Sequence, residues 1–271
     1  MPISKTTPLR NLPAFLLTNI AAYNSGPRAS SYNTAYDNFI RARRTGITTH
    51  GGVFGWIQYG NAARDIHALL SVYGMGARAS HLVPLTTLQT TLTSLSKIPL
   101  DWISGLSLPL SAAPCALTNP ATGLNLSAEL SAIYNSLSAP AAVTNSGGFV
   151  AASKALHCLF PDLAPMIDGA HSGLSYYHIN RSTYLPPLKL PDWSSWIDPH
   201  RTFHRVMNPT PQGAGRHSHD ADTFLAAIGI NQHIYEIWQS SHRSLGLPYF
   251  ISLDPTTGTT GIPRIIDKLL W

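Results

Sequence analysis

The chain has 271 residues, of which 44% are hydrophobic and only 11% charged, and it carries a formal net charge of +5. This length and apolar content suffice for a folded core without a disulfide or metal staple, and two cysteines argue against a disulfide framework. The positive net charge permits binding to a phosphate-rich partner. The chain has no run of about 18 apolar residues that could span a membrane.

The first apolar segment, LPAFLLTNIAA at residues 12–22, predicts a core helix. Three of its apolar side chains recur at helical spacing: Phe15, Leu16 and Ile20. Because Lys5 and Arg10 precede the segment and no acidic residue occurs before Asp37, a transit or signal peptide is the alternative.

The next segments combine a basic helix with a glycine-rich stretch. Residues 30–47 predict an amphipathic helix that ends at Gly46. Three bases lie near its end: Arg41, Arg43 and Arg44. The stretch THGGVFGWIQYG follows, and its apolar residues 53–57 predict a strand or a buried loop. Asn61 then predicts the N-cap of a helix over residues 62–73.

The central part of the chain predicts two helices on either side of a break. LTTLQTTLTSL, at residues 85–95, repeats apolar residues at three- and four-residue spacing, as an amphipathic helix does. Prolines and small residues at 111–123 predict a linker or a subdomain boundary. A further helix is predicted at 127–136, with its leucine and isoleucine side chains turned inward.

A proline-rich region and a final helix complete the pattern. Prolines crowd the sequence after Tyr177 and exclude long helices there. Apolar residues at helical spacing then predict a helix that begins at Asp220 or Asp222 and ends at Ser241. These elements predict a mainly α fold, a single helical domain over residues 1–271 with an irregular proline-rich C-terminal region.

The most patterned segment is NSGGFVAASKALHCLFPDLAPMIDGAH, at residues 145–171. Gly147 and Gly148 predict a tight turn with positive φ. A helix is predicted over residues 150–160, and its alanines would allow another backbone to approach closely. A proline ends this helix, and an apolar run then leads into Asp168.

In order, this segment contains a glycine turn, a helix bearing Lys154, a proline-bearing connection, and Asp168 with a histidine three residues on. The arrangement resembles the helix-hairpin-helix DNA glycosylase superfamily, over residues 145–171 only. The resemblance implies a two-lobed helical fold that binds DNA through the hairpin and needs no cofactor. It also implies that Asp168 is the catalytic carboxylate and that Lys154 is the nucleophile of a bifunctional enzyme. The chain departs from the family in its Gly-Gly-Phe turn and in a shorter stretch between Lys154 and Asp168.

The implied chemistry suits these residue types. Cleavage of an N-glycosidic bond passes through an oxocarbenium-like sugar, which a fixed carboxylate at Asp168 would stabilise. Backbone amides at a glycine turn and helix N-terminus suit phosphate binding. The predicted nucleic-acid-binding residues are Gly147, Gly148, Lys154, Arg41, Arg43 and Arg44. The predicted aromatic walls for a flipped base are Trp56, Tyr59, Tyr176 and Tyr177.

Structural roles are the alternatives for the same groups. Asp168 would serve equally well as the N-cap of a helix that starts at Gly169. Lys154 would be an ordinary solvated helix residue. The bases near the end of the helix at residues 30–47 would complement the helix dipole.

Twelve histidines are many for this length, and four of them are weak candidates for metal binding. His200 and His204 have the i, i+4 spacing that places two imidazoles on one helix face. His217 and His219 alternate in the run RHSHDAD. No glutamate completes an HExxH motif, so a metalloprotease is excluded and no metal site is predicted.

Three functions therefore remain open. The first is a DNA-directed protein, in particular a base-excision glycosylase, placed in the nucleus or the cytoplasm unless the N-terminal segment directs it to an organelle. The second is an enzyme that acts on a small molecule through the His/Asp-rich C-terminal half. The third is a non-catalytic binding module on the same scaffold. A basic face that joined the glycine turn, Lys154 and the three arginines would favour the first.

Overall fold

The computed structural model describes residues 12–75, 81–167, 221–242, 244–256 and 261–270, which hold eleven α-helices and one short 3-10 helix. No β-strand occurs within these ranges, where strand-like pairing is limited to two isolated bridges. The mainly α fold predicted from the sequence is confirmed. None of the helices in the described part of the chain is both long and apolar enough to cross a membrane.

The described helices fall into two groups along the chain. Before residue 168 lie α1 (Leu12–Asn24), α2 (Ala29–His50), α3 (Val53–Tyr59), α4 (Ala62–Val72), α5 (Leu85–Ser94), α6 (Leu100–Ser104), α7 (Leu126–Ser138) and α8 (Phe149–Leu159). After residue 220 lie α9 (Ala221–Ser241), α10 (Leu247–Ser252) and α11 (Ile262–Leu270). The helices predicted at 127–136 and up to Ser241 are confirmed as α7 and α9.

The glycine-rich stretch after α2 forms the helix α3, so the predicted strand or loop is wrong. Two glycines inside helices, Gly46 of α2 and Gly55 of α3, make room for close packing and do not end a helix. A Cβ on Gly46 would lie 2.1 Å from the Trp56 ring, and one on Gly55 would lie 1.9 Å from the carbonyl oxygen of His50. The helix α2 therefore continues past Gly46 to His50 and ends at Gly51, whose φ of 75° forms a left-handed cap.

The helix α8 is the most deeply buried element before residue 168, since every residue from Ala151 to Leu159 is buried. It packs against α4 and α7, and its alanines permit the close approach that the sequence predicts. The helix ends at Leu159, with Phe160 as its C-cap directly before Pro161, so it ends at the proline as predicted. Cys158 lies on this helix, and burial raises the pKa of its thiol to about 12, which makes it an inert core residue.

The turns at residues 111–123 are tied to α7. The side chain of Asn125 caps α7 by accepting a hydrogen bond of 2.9 Å from the Ala128 N–H. The buried Asn119 amide donates to the Glu129 carboxylate over 3.0 Å. A subdomain boundary in this segment stays a prediction.

The C-terminal helix α11 packs against α1 and α9, so the two ends of the described chain lie side by side. Its apolar residues are buried: Ile262, Ile265, Ile266 and Leu269. Its three charged residues, Arg264, Asp267 and Lys268, are buried as well. Buried charges need partners, so this helix brings a polar cluster into the interior.

Candidate functional site

Gly147 and Gly148 form a tight turn directly before α8, in the connection from α7. Gly147 has a φ of 67° and Gly148 a φ of 115°, in agreement with the tight turn predicted there. The Gly148 N–H donates to the carbonyl oxygen of Ser138 over 2.9 Å. A Cβ on Gly147 would lie 2.4 Å from the same oxygen, so the turn packs directly on the end of α7.

Replacing Gly147 with alanine should lower the free energy of unfolding by about 2–4 kcal/mol, because a left-handed φ and a backbone collision both oppose the methyl group. Gly123 provides a matched control, since its φ is 72° and a Cβ there would meet nothing within 4 Å. Gly123→Ala should therefore cost only about 1 kcal/mol. Urea unfolding of both variants measures the difference, and equal losses would contradict the close packing of this turn.

Lys154 lies in the middle of α8 and is only 6% exposed. The alternative of a solvated lysine is therefore wrong. Its Nζ lies 5.6 Å from the centre of the Tyr73 ring, which is within the range of a cation–π contact. The ammonium group thus lies beside the Tyr73 ring in the interior of the protein.

A cleft opens beside Lys154 where several helices meet. It is lined by Tyr23, Tyr32, Tyr73, Lys154, Met166, Arg264 and Asp267. Tyr32 and Tyr73 pack edge to face, with ring centres 5.2 Å apart and an interplanar angle of 89°. The cleft contains about 310 Å³ of empty space, part of it open to solvent, and about 20 Å³ of this space admits the centre of a water molecule. As it stands, the cleft accommodates one or two waters or one small polar group.

Arg264 of α11 places a buried positive charge on one wall of the cleft. Its Nη1 donates to Asp267 over 2.6 Å, and its Nη2 donates to the Tyr23 hydroxyl and to Asn33 Oδ1, each over 3.3 Å. The guanidinium carbon also lies 4.7 Å from the centre of the Tyr36 ring. Burial opposes the charge, but the neighbouring phenols and carboxylate raise the pKa of Arg264 well above its ordinary value.

A second buried ion pair joins Lys268 of α11 to Asp254 of the segment after α10. Lys268 Nζ also donates to Asn24 Oδ1 over 3.1 Å and to Thr256 Oγ1 over 2.8 Å. Burial lowers the pKa of Lys268 to about 8. Burial alone would raise the pKa of Asp254, but the hydrogen bond from Lys268 holds it at about 2. The pair ties α1, α11 and the segment after α10 together.

His157 of α8 anchors the chain that follows this helix. Its Nδ1 donates to the carbonyl oxygen of Ala164 over 2.6 Å, and its Nε2 accepts a hydrogen bond of 2.7 Å from the Tyr36 hydroxyl. Burial lowers the pKa of His157 to about 3, so the ring is neutral with its proton on Nδ1. The imidazole thus connects α2, α8 and residues 161–167.

Ser153, one turn before His157 on α8, holds the end of the same segment. Its Oγ accepts a hydrogen bond of 3.2 Å from the Ile167 N–H. Ile167 is the residue before Asp168, and Ser153 is the residue before Lys154. The Ser153 side chain therefore holds the backbone in place up to Ile167, the residue directly before Asp168.

The three predicted DNA-binding arginines lie at the other end of α8 from the glycine turn. Arg43 Nη2 donates over 2.6 Å to the carbonyl oxygen of Leu159, the last residue of α8. Arg41 and Arg44 are exposed on α2. Because a helix of 11 residues is about 16 Å long, the structure does not bring these arginines together with the glycine turn.

Several predicted site residues lie outside the described ranges: Asp168, Tyr176, Tyr177, His200, His204, His217 and His219. Within the described ranges, no group of three or more His, Cys, Asp or Glu could hold a metal ion. Of the other predicted aromatic walls, Trp56 is fully buried in the core and Tyr59 is 76% exposed. Neither is among the described residues that line the cleft.

The sequence interpretation missed the tyrosines of the cleft and the charged residues of α11. Tyrosines at helix ends carry no spacing signal that distinguishes a cleft from a surface. The run IPRIIDKLL did carry one, because it places three charges among apolar residues in a chain with only 11% charged residues. If such a helix is buried, its charges must be paired, so the run was a signal for a buried polar cluster.

Comparisons with protein-family models, with curated proteins and with solved structures found no significant match to this chain. The resemblance to the glycosylase superfamily therefore rests on residues 145–171. The proposed function rests on this segment and on the cleft that Lys154 lines.

Proposed function

We propose that the chain is a nucleic-acid-acting helix-hairpin-helix protein, a DNA glycosylase that releases a base from its sugar. The observation that carries the proposal is the burial of Lys154 beside a tyrosine-lined cleft. Met166 lines the same cleft and precedes Asp168 by two residues in the sequence. Of the two residues that the resemblance implies as catalytic, Lys154 lines the cleft, and Asp168 follows in the sequence directly after the last residue described before it, Ile167.

Each part has a defined task in the proposed reaction. The Asp168 carboxylate stabilises the positive charge that develops on the sugar as its bond to the base breaks. The Lys154 amine adds to the sugar carbon, the base leaves with a proton, and water later hydrolyses the lysine–sugar bond. The first backbone amides of α8, directly after the glycine turn, bind a backbone phosphate, so duplex affinity falls as salt concentration rises.

The Asp168→Asn variant tests the proposal on a panel of lesion-bearing duplexes. Base release should be abolished while thermal stability and duplex binding stay nearly unchanged, because the side-chain shape is kept and only the charge is lost. If Asp168 were merely a helix cap, Asn would replace it without consequence, since the two residues cap about equally well. Full activity of the variant, or a wild-type protein inactive on the whole panel, would overturn the proposal.

The role of Lys154 is tested separately by borohydride reduction during turnover. The wild-type protein should form a covalent protein–DNA adduct, because borohydride reduces the imine between the lysine and the opened sugar. Lys154→Gln should form none. Base release by the wild type without any adduct would restrict the chemistry to Asp168 and leave Lys154 a binding role only.

One observation favours a second candidate, an enzyme acting on a small molecule. The arginines and the glycine turn lie at opposite ends of α8, and the cleft admits only a small group as it stands. A compact ligand suits this arrangement better than a long duplex does. Saturable turnover of a small anionic compound, unaffected by DNA, would support this candidate over the first.

A further inference from the structure

We infer that the cleft beside Lys154 binds a single oxyanion, a carboxylate or a phosphate group, through Arg264 and Tyr73. The Arg264 Nε and the Tyr73 hydroxyl are both buried, and neither has a hydrogen-bond partner in the described structure. Both residues line the cleft. Buried polar atoms without partners are rare in folded proteins, so two on the walls of one cleft point to an acceptor that binds there.

The two atoms define the chemistry of that acceptor. An arginine Nε–H can only donate, and a tyrosine hydroxyl carries one proton that it can donate to an acceptor in the cleft. Tyr73 and Arg264 are close enough that each perturbs the pKa of the other. One group with two adjacent oxygens can accept from both donors, and this is the geometry of a carboxylate or a phosphate.

The charged residues that line the cleft favour the binding of an anion. Among the lining residues, Lys154 and Arg264 are cationic and Asp267 is anionic. The Asp267 carboxylate already accepts a short hydrogen bond from Arg264 Nη1, at 2.6 Å, so it leaves Arg264 Nε free for another acceptor. A water molecule could also accept from both donors, but it is neutral, whereas an oxyanion accepts from both and is attracted by the excess positive charge.

The size of the cleft limits how much of the ligand enters. The space that admits a water centre, about 20 Å³, suits the oxygen end of a carboxylate or phosphate. The remainder of the ligand would leave through the open side of the cleft. The oxyanion could belong to a free small molecule or to the backbone of a nucleic acid. Only the second source follows from the proposed function, and the binding site itself does not depend on base release.

Titration with inorganic phosphate and with acetate, followed by NMR at constant ionic strength, tests this site. Both anions should bind the wild type, and Tyr73→Phe should weaken binding roughly tenfold or more, because a hydrogen bond to a charged group is lost. This variant keeps the ring that packs against Tyr32, so folding is preserved. Tyr59→Phe is the matched control, because Tyr59 is 76% exposed, and its binding should equal the wild type.

Competition with oligonucleotides then distinguishes the two sources. If the backbone of a nucleic acid is the source, a single-stranded oligonucleotide displaces phosphate, whereas its uncharged methylphosphonate counterpart does not. If a free molecule is the source, phosphate and acetate bind with the same dependence on Tyr73 and neither oligonucleotide competes. Absence of phosphate and acetate binding, or binding that Tyr73→Phe leaves unchanged, would overturn the oxyanion site whether or not the protein releases bases.

Discussion

Replacing Lys268 with methionine should lower the free energy of unfolding by about 3–5 kcal/mol, the cost of leaving one partner of a buried ion pair alone. Both members of the Lys268–Asp254 pair are fully buried, and the pair joins the first and last helices of the described chain. Because methionine fills a similar volume, the loss of stability would come from the unpaired Asp254 carboxylate and not from a cavity. Urea unfolding at neutral pH measures it.

Two further variants test whether the loss of stability is specific to the buried ion pair or follows from removing any charged side chain. Arg64 is 66% exposed and lies 3.8 Å from Asp65, so Arg64→Met should change stability by less than about 0.5 kcal/mol. The double variant Asp254→Asn/Lys268→Met should recover more than half of the loss, because neither position then holds an unpaired buried charge and Asn keeps an acceptor for Asn24 and Thr256. A double variant as unstable as Lys268→Met would contradict the ion-pair account.

Acidification should destabilise the wild type through His157. The folded protein holds this imidazole neutral down to a pKa of about 3, whereas the unfolded chain protonates it near its ordinary value of about 6.5. Below that value the unfolded state binds the extra proton, so stability falls as pH falls. Between pH 6.5 and 5 the loss from this group should be about 1.5 kcal/mol.

The variant His157→Gln isolates this contribution from the other titrating groups. It should be less stable than the wild type at pH 7, because the hydrogen bonds to Tyr36 and Ala164 are weakened. The difference between the two proteins should shrink by about 1.5 kcal/mol from pH 6.5 to 5, since only the wild type carries the titrating ring. Parallel stability curves over this range would show that His157 is not the buried neutral group described.

The long amphipathic helices were predictable because their periodicity decides their packing. α7 and α9 lie close to their predicted bounds, and the proline after α8 ends that helix as expected. The error at α3 has a physical origin, since Gly46 and Gly55 serve close contacts with Trp56 and with the backbone of His50. A glycine in a sequence does not reveal whether it provides a turn or room for a neighbour.

The candidate site was predictable only where one segment carried the signal. The pattern around Lys154 pointed to that residue, which is buried, and its catalytic role stays a prediction. The other residues that line the cleft come from α1, α2, α11 and the segments after α4 and α8, and Arg264 lies 110 residues beyond Lys154 in the chain. Contacts over such separations depend on packing, which periodicity does not encode. Asp168 and the histidine candidates remain predictions, since they lie outside the described residues.

Mass spectrometry of free bases released from chemically damaged genomic DNA tests the central claim most directly, because it requires no prior choice of lesion. The wild-type protein should release at least one modified base well above the level seen with Asp168→Asn at equal concentration and equal thermal stability. If folded wild-type protein releases no base above that of the variant, the chain is not a DNA glycosylase.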